Sequence, residues 1–485
     1  MTRFTRRSFI RMGTGAVAAA AAGWSPTLGA DAKEAETAYD FGLAPLGKVK
    51  PVPSTAIEAS PLSVGFETLD RKHFTPERTY AHLARLGVKW ARCQTGWSRC
   101  EVARGQFLFG WLDKVVDSLL KAGIQPWFNL GYGNSLYVPK KPSDYSVGWA
   151  PIFDEGARDG WVRFTRAIAT HFSDRVSHWE IWNEPNIGGF WKPHKPSAAD
   201  YVRLVKLTAI EIRQRIRGAV IIGGAYAGIP FPYIQQCLQL GMADHVDRIS
   251  YHPYRPVPEA GYEPQVAKLR KLVARYNKKV KLWQGENGCP SQGGKGSVGA
   301  LSNLEWTELR QAKWHLRRIL SDLRLEVDLT SYFHTVDLVG YRKKTNFKGL
   351  LRGADYTPKP AYAAYQCLCA LFDAKTTRDP KLTLDLVGHK KVHMLDAGFV
   401  RGGRALYAYW YPANLQKGWT PRTLTMRFAT PLHATINAPV LVDPLSSQVY
   451  PLAKATRGEG SLTIADLPLL DYPLLVTDRA TVLPS

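Results

Sequence analysis

The chain is poor in sulfur, with six cysteines and five methionines among 485 residues. Cys93, Cys100, Cys237, Cys289, Cys367 and Cys369 fit neither a small disulfide scaffold nor a zinc site. They read as core thiols, with a Cys93–Cys100 bridge left open. After the N-terminal region no stretch of 18 uninterrupted apolar residues occurs, so no membrane span is expected. Tandem repeats are absent too, which argues against a solenoid. Acids are scarce: 41 Asp and Glu face 64 Lys and Arg, for a formal charge of +23. Four of these charges, Arg3, Arg6, Arg7 and Arg11, stand in residues 1–30 with no acid, so the remainder carries +19. The basic residues are scattered along helical patterns (Arg203, Lys206, Arg213, Lys268, Arg270) without a stripe or recognition motif. A nucleic-acid partner is therefore not expected, and the field reads as a solvated surface that would also attract an acidic polysaccharide.

What is present begins with export. Thr5-Arg6-Arg7-Ser8-Phe9-Ile10-Arg11 resembles a twin-arginine motif, followed by a weakly apolar stretch over 13–23 and small residues near 28–32 that suit cleavage. The expected route is the twin-arginine export machinery, and the expected location is periplasmic or secreted. Residues 1–30 read as this signal and 31–60 as a polar, Pro-rich linker with one strand.

From residue 61 short apolar runs alternate with amphipathic patterns, the signature of parallel βα units. Strands are expected over 63–68, 88–93, 124–130, 176–182, 219–224, 248–252, 280–284 and 329–333. Helices are expected over 111–122, 161–172, 198–216, 264–276, 304–323 and 361–372. Eight strands over 61–375 predict an α/β fold, a (β/α)8 TIM barrel. After residue 375 the helical period vanishes. Runs at 391–394, 405–411, 424–428, 440–442, 462–464 and 474–476 predict a small antiparallel β-sandwich over 376–485.

Two strand ends carry the chemistry. His178-Trp179-Glu180-Ile181-Trp182-Asn183-Glu184-Pro185-Asn186 ends the fourth strand, where Pro185 is expected to hold Glu184 extended. Framed by Trp182 and Trp191, Glu184 would be partly desolvated, a setting suited to proton donation. Lys281-Leu282-Trp283-Gln284-Gly285-Glu286-Asn287 ends the seventh strand, with Gly285 leaving room beside the backbone. Alone, Asn183-Glu184-Pro185 could be a loop carboxylate capping a helix, and Gly285-Glu286-Asn287 is most often a turn. Together, at the carboxyl ends of strands four and seven, they set two carboxylates across a barrel mouth, as glycoside hydrolysis requires.

Trp182-Asn183-Glu184-Pro185, Gly285-Glu286, Ser250-Tyr251-His252-Pro253-Tyr254 and Pro358-Lys359-Pro360-Ala361-Tyr362 together resemble clan A of the glycoside hydrolases, and most closely family 39, which includes β-xylosidases. The resemblance covers about residues 63–375. It implies a retaining mechanism on oligo- or polysaccharides without metal or organic cofactor, with Glu184 as acid/base, Glu286 as nucleophile and Asn183 as partner of the sugar 2-hydroxyl. Arg92 either orients Glu286 or pairs with Glu180 inside the barrel. His252 and Tyr254 either hydrogen-bond the carboxylates or are a satisfied loop His and a core Tyr. Asn129, Trp97, Trp191, Trp283 and His334 are candidates to line the sugar sites, each aromatic equally suited to packing. The Gly/Pro/Ser-rich loops 131–159 and 291–301 are expected to set specificity. The competing reading is a non-catalytic carbohydrate-binding barrel, against which both intact glutamates count.

Overall fold

The computed structural model describes residues 38–138, 146–388 and 392–483. The twin-arginine segment lies outside the described residues. Asp40–Ser485 forms one compact unit.

Eight parallel strands close a barrel: β1 (Leu62–Phe66), β2 (Trp90–Gln94), β3 (Gln125–Leu130), β4 (His178–Ile181), β5 (Val220–Ala227), β6 (Arg248–His252), β7 (Lys281–Asn287) and β8 (Leu329–Tyr332). A helix follows each strand: α1 (Tyr80–Leu86), α2 (Gly110–Lys121), α3 (Glu155–His171), α4 (Ala198–Arg213), α5 (Phe231–Gln239), α6 (Tyr262–Ala274), α7 (Glu308–Arg324) and α8 (Pro360–Leu371). The TIM barrel expected from the sequence is therefore present. Local chemistry sets the helix ends. Asp154, Ser197 and Thr307 cap α3, α4 and α7 by accepting the backbone N–H three residues on, and Pro360 opens α8. The cap at Thr307 starts α7 four residues later than the apolar pattern suggested.

The barrel interior is layered. Trp127, Ile222, Trp283 and Leu329 form a buried apolar plug, with Trp90 packed against it. Trp283 stacks on His178 and meets Trp127 edge-on. Inward-facing residues two positions further along the strands, Arg92, Asn129 and Glu180, form a hydrogen-bonded polar layer above this plug. The plug excludes water from below, so the polar layer can open only toward the carboxyl ends of the strands.

The C-terminal part is a pair of antiparallel sheets, of seven and four strands. Gly47–Lys48, from the segment expected to be a linker, forms an edge strand of the larger sheet against Val449 and Gln448. The strand expected at 391–394 is instead Leu395–Arg401; residue 391 lies outside the described residues. The cause is the turn at Gly402 and Gly403, both at positive φ, which fixes a two-residue hairpin pairing Arg401 with Arg404. Arg317 ties barrel to sandwich, pairing with Glu259 at 2.6 Å and donating to the Ala413 carbonyl at 2.7 Å. All six cysteines are buried free thiols, so Cys93 and Cys100 form no bridge.

Candidate active site

At the carboxyl end of the barrel lies a cavity of about 420 Å³, lined by Asn183, Glu184, Tyr254 and Glu286 among others. Glu184 stands three residues past β4 with φ 48°, in the left-handed region rather than extended. Pro185 disfavours the right-handed helical conformation for Glu184, but a neighbouring strand decides among the rest. The Glu184 N–H donates to the Ala225 carbonyl of β5 at 2.8 Å, which turns the backbone over. A non-glycine residue held this way, with Trp182 also at φ 69°, is the kind of strain that a functional site retains.

Glu286 sits on β7 where the pairing with β8 is irregular between Gln284 and Asn287. The room left by Gly285 is used: a Cβ there would collide with the Ser250 hydroxyl and crowd Glu180. Both Glu286 oxygens are engaged. Arg92 donates to Oε2 at 2.6 Å, and the Tyr254 hydroxyl donates to Oε1 at 2.8 Å. Burial opposes ionisation of Glu286, but the field of His252 and Arg92 and the Tyr254 hydrogen bond outweigh it, holding the carboxyl below its ordinary range. Burial and the Glu286 charge push the Tyr254 phenol well up, so it remains a donor. His252 stands between the two carboxylates, its Nδ1 3.2 Å from Glu184 Oε1 and 3.8 Å from Glu286 Oε2.

Arg92 fulfils both roles considered for it. Besides Glu286 it pairs with Glu180 at 2.6 Å, with Glu67 at 3.2 Å, and donates to the Asn183 amide oxygen at 2.8 Å. Asn129 does not line the cavity; its amide donates to Glu180 and to the Trp182 carbonyl and so braces the strand leading to Glu184. Three aromatic candidates belong elsewhere. Trp283 is part of the plug. Trp97 stacks on Tyr137 and donates to Glu101. Trp191 packs edge-on behind Trp182 and is fully buried. Each sits a layer away from the cavity, a depth that inward parity alone does not reveal. His334 is likewise buried, its Nε2 3.1 Å from the Glu67 carbonyl oxygen.

The sequence reading missed Glu67, Arg71, Tyr132, Asn346 and Lys348, all of which line the cavity. Glu67 had a signal, since it stands one residue past β1 at the active end of the barrel. Its carboxylate folds over Gly65, where a Cβ would collide with it. Burial lifts Glu67 to about 8; Arg92 opposes the rise and Glu286 adds to it. A carboxyl raised above its ordinary 4.5 binds more protons folded than unfolded, so it weakens the fold as pH rises through that window. Glu67→Gln should therefore raise the melting temperature relative to the native protein more at pH 8 than at pH 5. Equal differences at the two pH values would remove this assignment.

Among the described residues, Glu184, His252 and Glu286 are the group with metal-ligand geometry, their ligand atoms lying within 4.8 Å of one another. The set fits a cation poorly. Arg92 and Tyr254 already occupy both oxygens of Glu286, and a guanidinium at 2.6 Å would repel an incoming ion.

Residues 84–281 match the family model described as glycosyl hydrolases family 39. A beta-xylosidase of Geobacillus stearothermophilus is 27% identical over 162 residues, 30% of each chain. A 6-phospho-beta-glucosidase of Clostridium longisporum is 25% identical over 210 residues, 39% of this chain and 42% of that protein. The chain thus spans 30% and 42% of the length of these curated relatives. A family 39 glycoside hydrolase structure from Bacteroides cellulosilyticus superposes with a TM-score of 0.65 at 21% identity, covering 86% of this chain and 80% of that one. A monomeric beta-xylosidase from Caulobacter crescentus gives 0.59 at 16% identity, covering 89% and 98%.

Proposed function

We propose that this chain, a family 39-like barrel of clan A, is a retaining glycosidase that hydrolyses β-linked sugars with Glu286 as nucleophile and Glu184 as acid/base. The observation that carries the reading is the distance between the two carboxylates. An oxygen of Glu184 and one of Glu286 lie within 4.8 Å. Retaining enzymes hold their carboxyl groups about 5–5.5 Å apart, whereas inverting ones leave about 6.5–9.5 Å for a water.

The electrostatics divide the two roles. Glu286, fixed by Arg92 and Tyr254, is an ionised carboxylate whose lone pair attacks the anomeric carbon. No Lys or Arg among the described residues pairs with Glu184, so the proton-donor role falls to it. In the first step Glu184 protonates the leaving oxygen as the glycosyl–Glu286 ester forms. In the second, the Glu184 carboxylate takes a proton from water, and that water displaces Glu286. Asn183, held by Arg92, presents its amide to the cavity, where the sugar 2-hydroxyl would lie. The relatives' names, beta-xylosidase and 6-phospho-beta-glucosidase, support a β-glycoside as substrate.

The test is stereochemical. Proton NMR of an aryl β-xyloside digest, read before mutarotation, should show β-xylose as the first product. Initial α-xylose would overturn the retaining mechanism.

A further inference from the structure

The mechanism above leaves a buried cation of the same cavity unused. Lys348 is 1% exposed, yet no carboxylate among the described residues stands within ion-pairing distance of its ammonium. Its hydrogen-bond partner is the Asn346 amide oxygen, at a long 3.4 Å. Gly299, at φ 100°, lies over the ammonium, and a Cβ there would stand 2.8 Å from Nζ. Burying a charge without an ionic partner is costly, and the cost shows: burial pulls Lys348 down to about 8, with Cys289 and Glu286 opposing.

Two further cations, Arg71 and Arg342, line the same cavity. The strands Leu338–Tyr341 and Lys344–Asn346 form a hairpin (β9 and β10) after β8. Its tip, Arg342-Lys343, has both residues at positive φ, and Arg342 lines the cavity from the exposed side. Arg71, at the cavity wall, holds Asp70 at 3.3 Å and the Gln94 side chain at 2.5 Å. Each of these two has a place without Lys348, whereas Lys348 has no anion of its own. Glu286 lines the same cavity, but Arg92 and Tyr254 already saturate that carboxylate.

Resting on the glycosidase reading, we infer that Lys348, with Asn346 beside it and Arg342 at the rim, receives an oxyanion carried by the sugar, so that the substrate is an acidic glycoside. A desolvated ammonium bonds a carboxylate or phosphate ester strongly and leaves a neutral analogue facing an unmatched charge. The preference is therefore one of local pairing, distinct from the long-range attraction of a basic surface.

The experiment compares an aryl β-D-glucuronide with its methyl ester, which differ in charge at nearly equal size, and an aryl 6-phospho-β-glucoside with the plain glucoside. In the native protein kcat/KM should favour at least one anion over its neutral counterpart by about tenfold or more. Preference for the glucuronide identifies a carboxylate, and preference for the phosphoglucoside a phosphate ester. Lys348→Met should bring that ratio close to one, and Lys348→Arg should restore part of it. A structural lysine would change both rates together and leave the ratio intact; that result, or a native ratio near one, overturns the inference. Hydrolysis of the neutral glycosides alone leaves the glycosidase reading standing and removes this one. Should no glycoside be cleaved, the glycosidase reading fails and binding decides the rest. Free glucuronate or glucose 6-phosphate must then raise the melting temperature of the native protein and not of Lys348→Met; no such shift removes the inference too.

Discussion

Glu286→Gln should lower turnover of an aryl β-xyloside by about 10⁴-fold or more while the protein stays folded. The amide is nearly isosteric, and its two ends match the two partners that fix the native carboxylate. The Gln carbonyl can accept from Arg92, and its NH₂ can donate to the Tyr254 oxygen, so the packing around β7 survives. What the amide lacks is a lone pair able to form a departing ester. Circular dichroism and thermal melting separate loss of chemistry from loss of fold. A folded variant with near-native turnover on a natural glycoside would show that Glu286 is not the nucleophile.

The variant also exposes the tension around Arg92. One guanidinium serves Glu67, Glu180 and Glu286, all within 3.2 Å and all buried or nearly so. Three ionised carboxylates around one cation would leave two negative charges in a desolvated space. The layer resolves this by keeping Glu67 largely protonated, while Glu180 and Glu286 retain the shorter contacts. Glu286 thus draws its orientation from β2, its second hydrogen bond from the loop after β6, and its backbone from β7. Three segments distant in sequence define one carboxylate.

That dispersion explains what the sequence could and could not reveal. The barrel was legible because buried parallel strands read as short apolar runs, and all eight were located to within a few residues. Short α1 and α5 were not legible because seven and nine residues make too few turns for a pattern to repeat. The resemblance to clan A and family 39, read from strand-end motifs, is borne out by the family match over 84–281 and by the shared fold. Glu184, Glu286, Asn183 and Tyr254 were legible because chemistry and strand-end position coincide in them. Lys348 and Asn346 were not, because Asn346 ends and Lys348 follows a hairpin whose return over the barrel mouth is a tertiary event. Trp97, Trp191 and Trp283 show the converse error, since an aromatic ring that suits a sugar face suits a plug equally well. Parity tells which side of a strand a residue faces. Depth along the barrel axis must come from the packing.

The second large effect belongs to Glu184, and its signature is a dependence on the leaving group. Glu184→Gln removes the proton donor from the first step and the base from the second, but substrates feel the two losses differently. A sugar alkoxide leaves poorly without protonation, so natural oligosaccharides should lose about 10²- to 10⁴-fold in kcat/KM. A dinitrophenolate needs no proton to depart, so an aryl β-xyloside bearing it should still form the glycosyl–Glu286 ester at close to the native rate. Hydrolysis of that ester then stalls, because the attacking water has no base. The expected result is a burst of one dinitrophenolate per active site followed by slow steady turnover. Azide, already anionic, requires no base. It should restore turnover and release a β-xylosyl azide, the configuration that a second inversion at the anomeric carbon demands. With the carboxylate replaced by an amide, position 184 no longer repels the incoming anion. Loss of activity on both substrate classes alike, without a burst and without azide rescue, would show that Glu184 only supports the structure of the β4 end and that another group moves the proton.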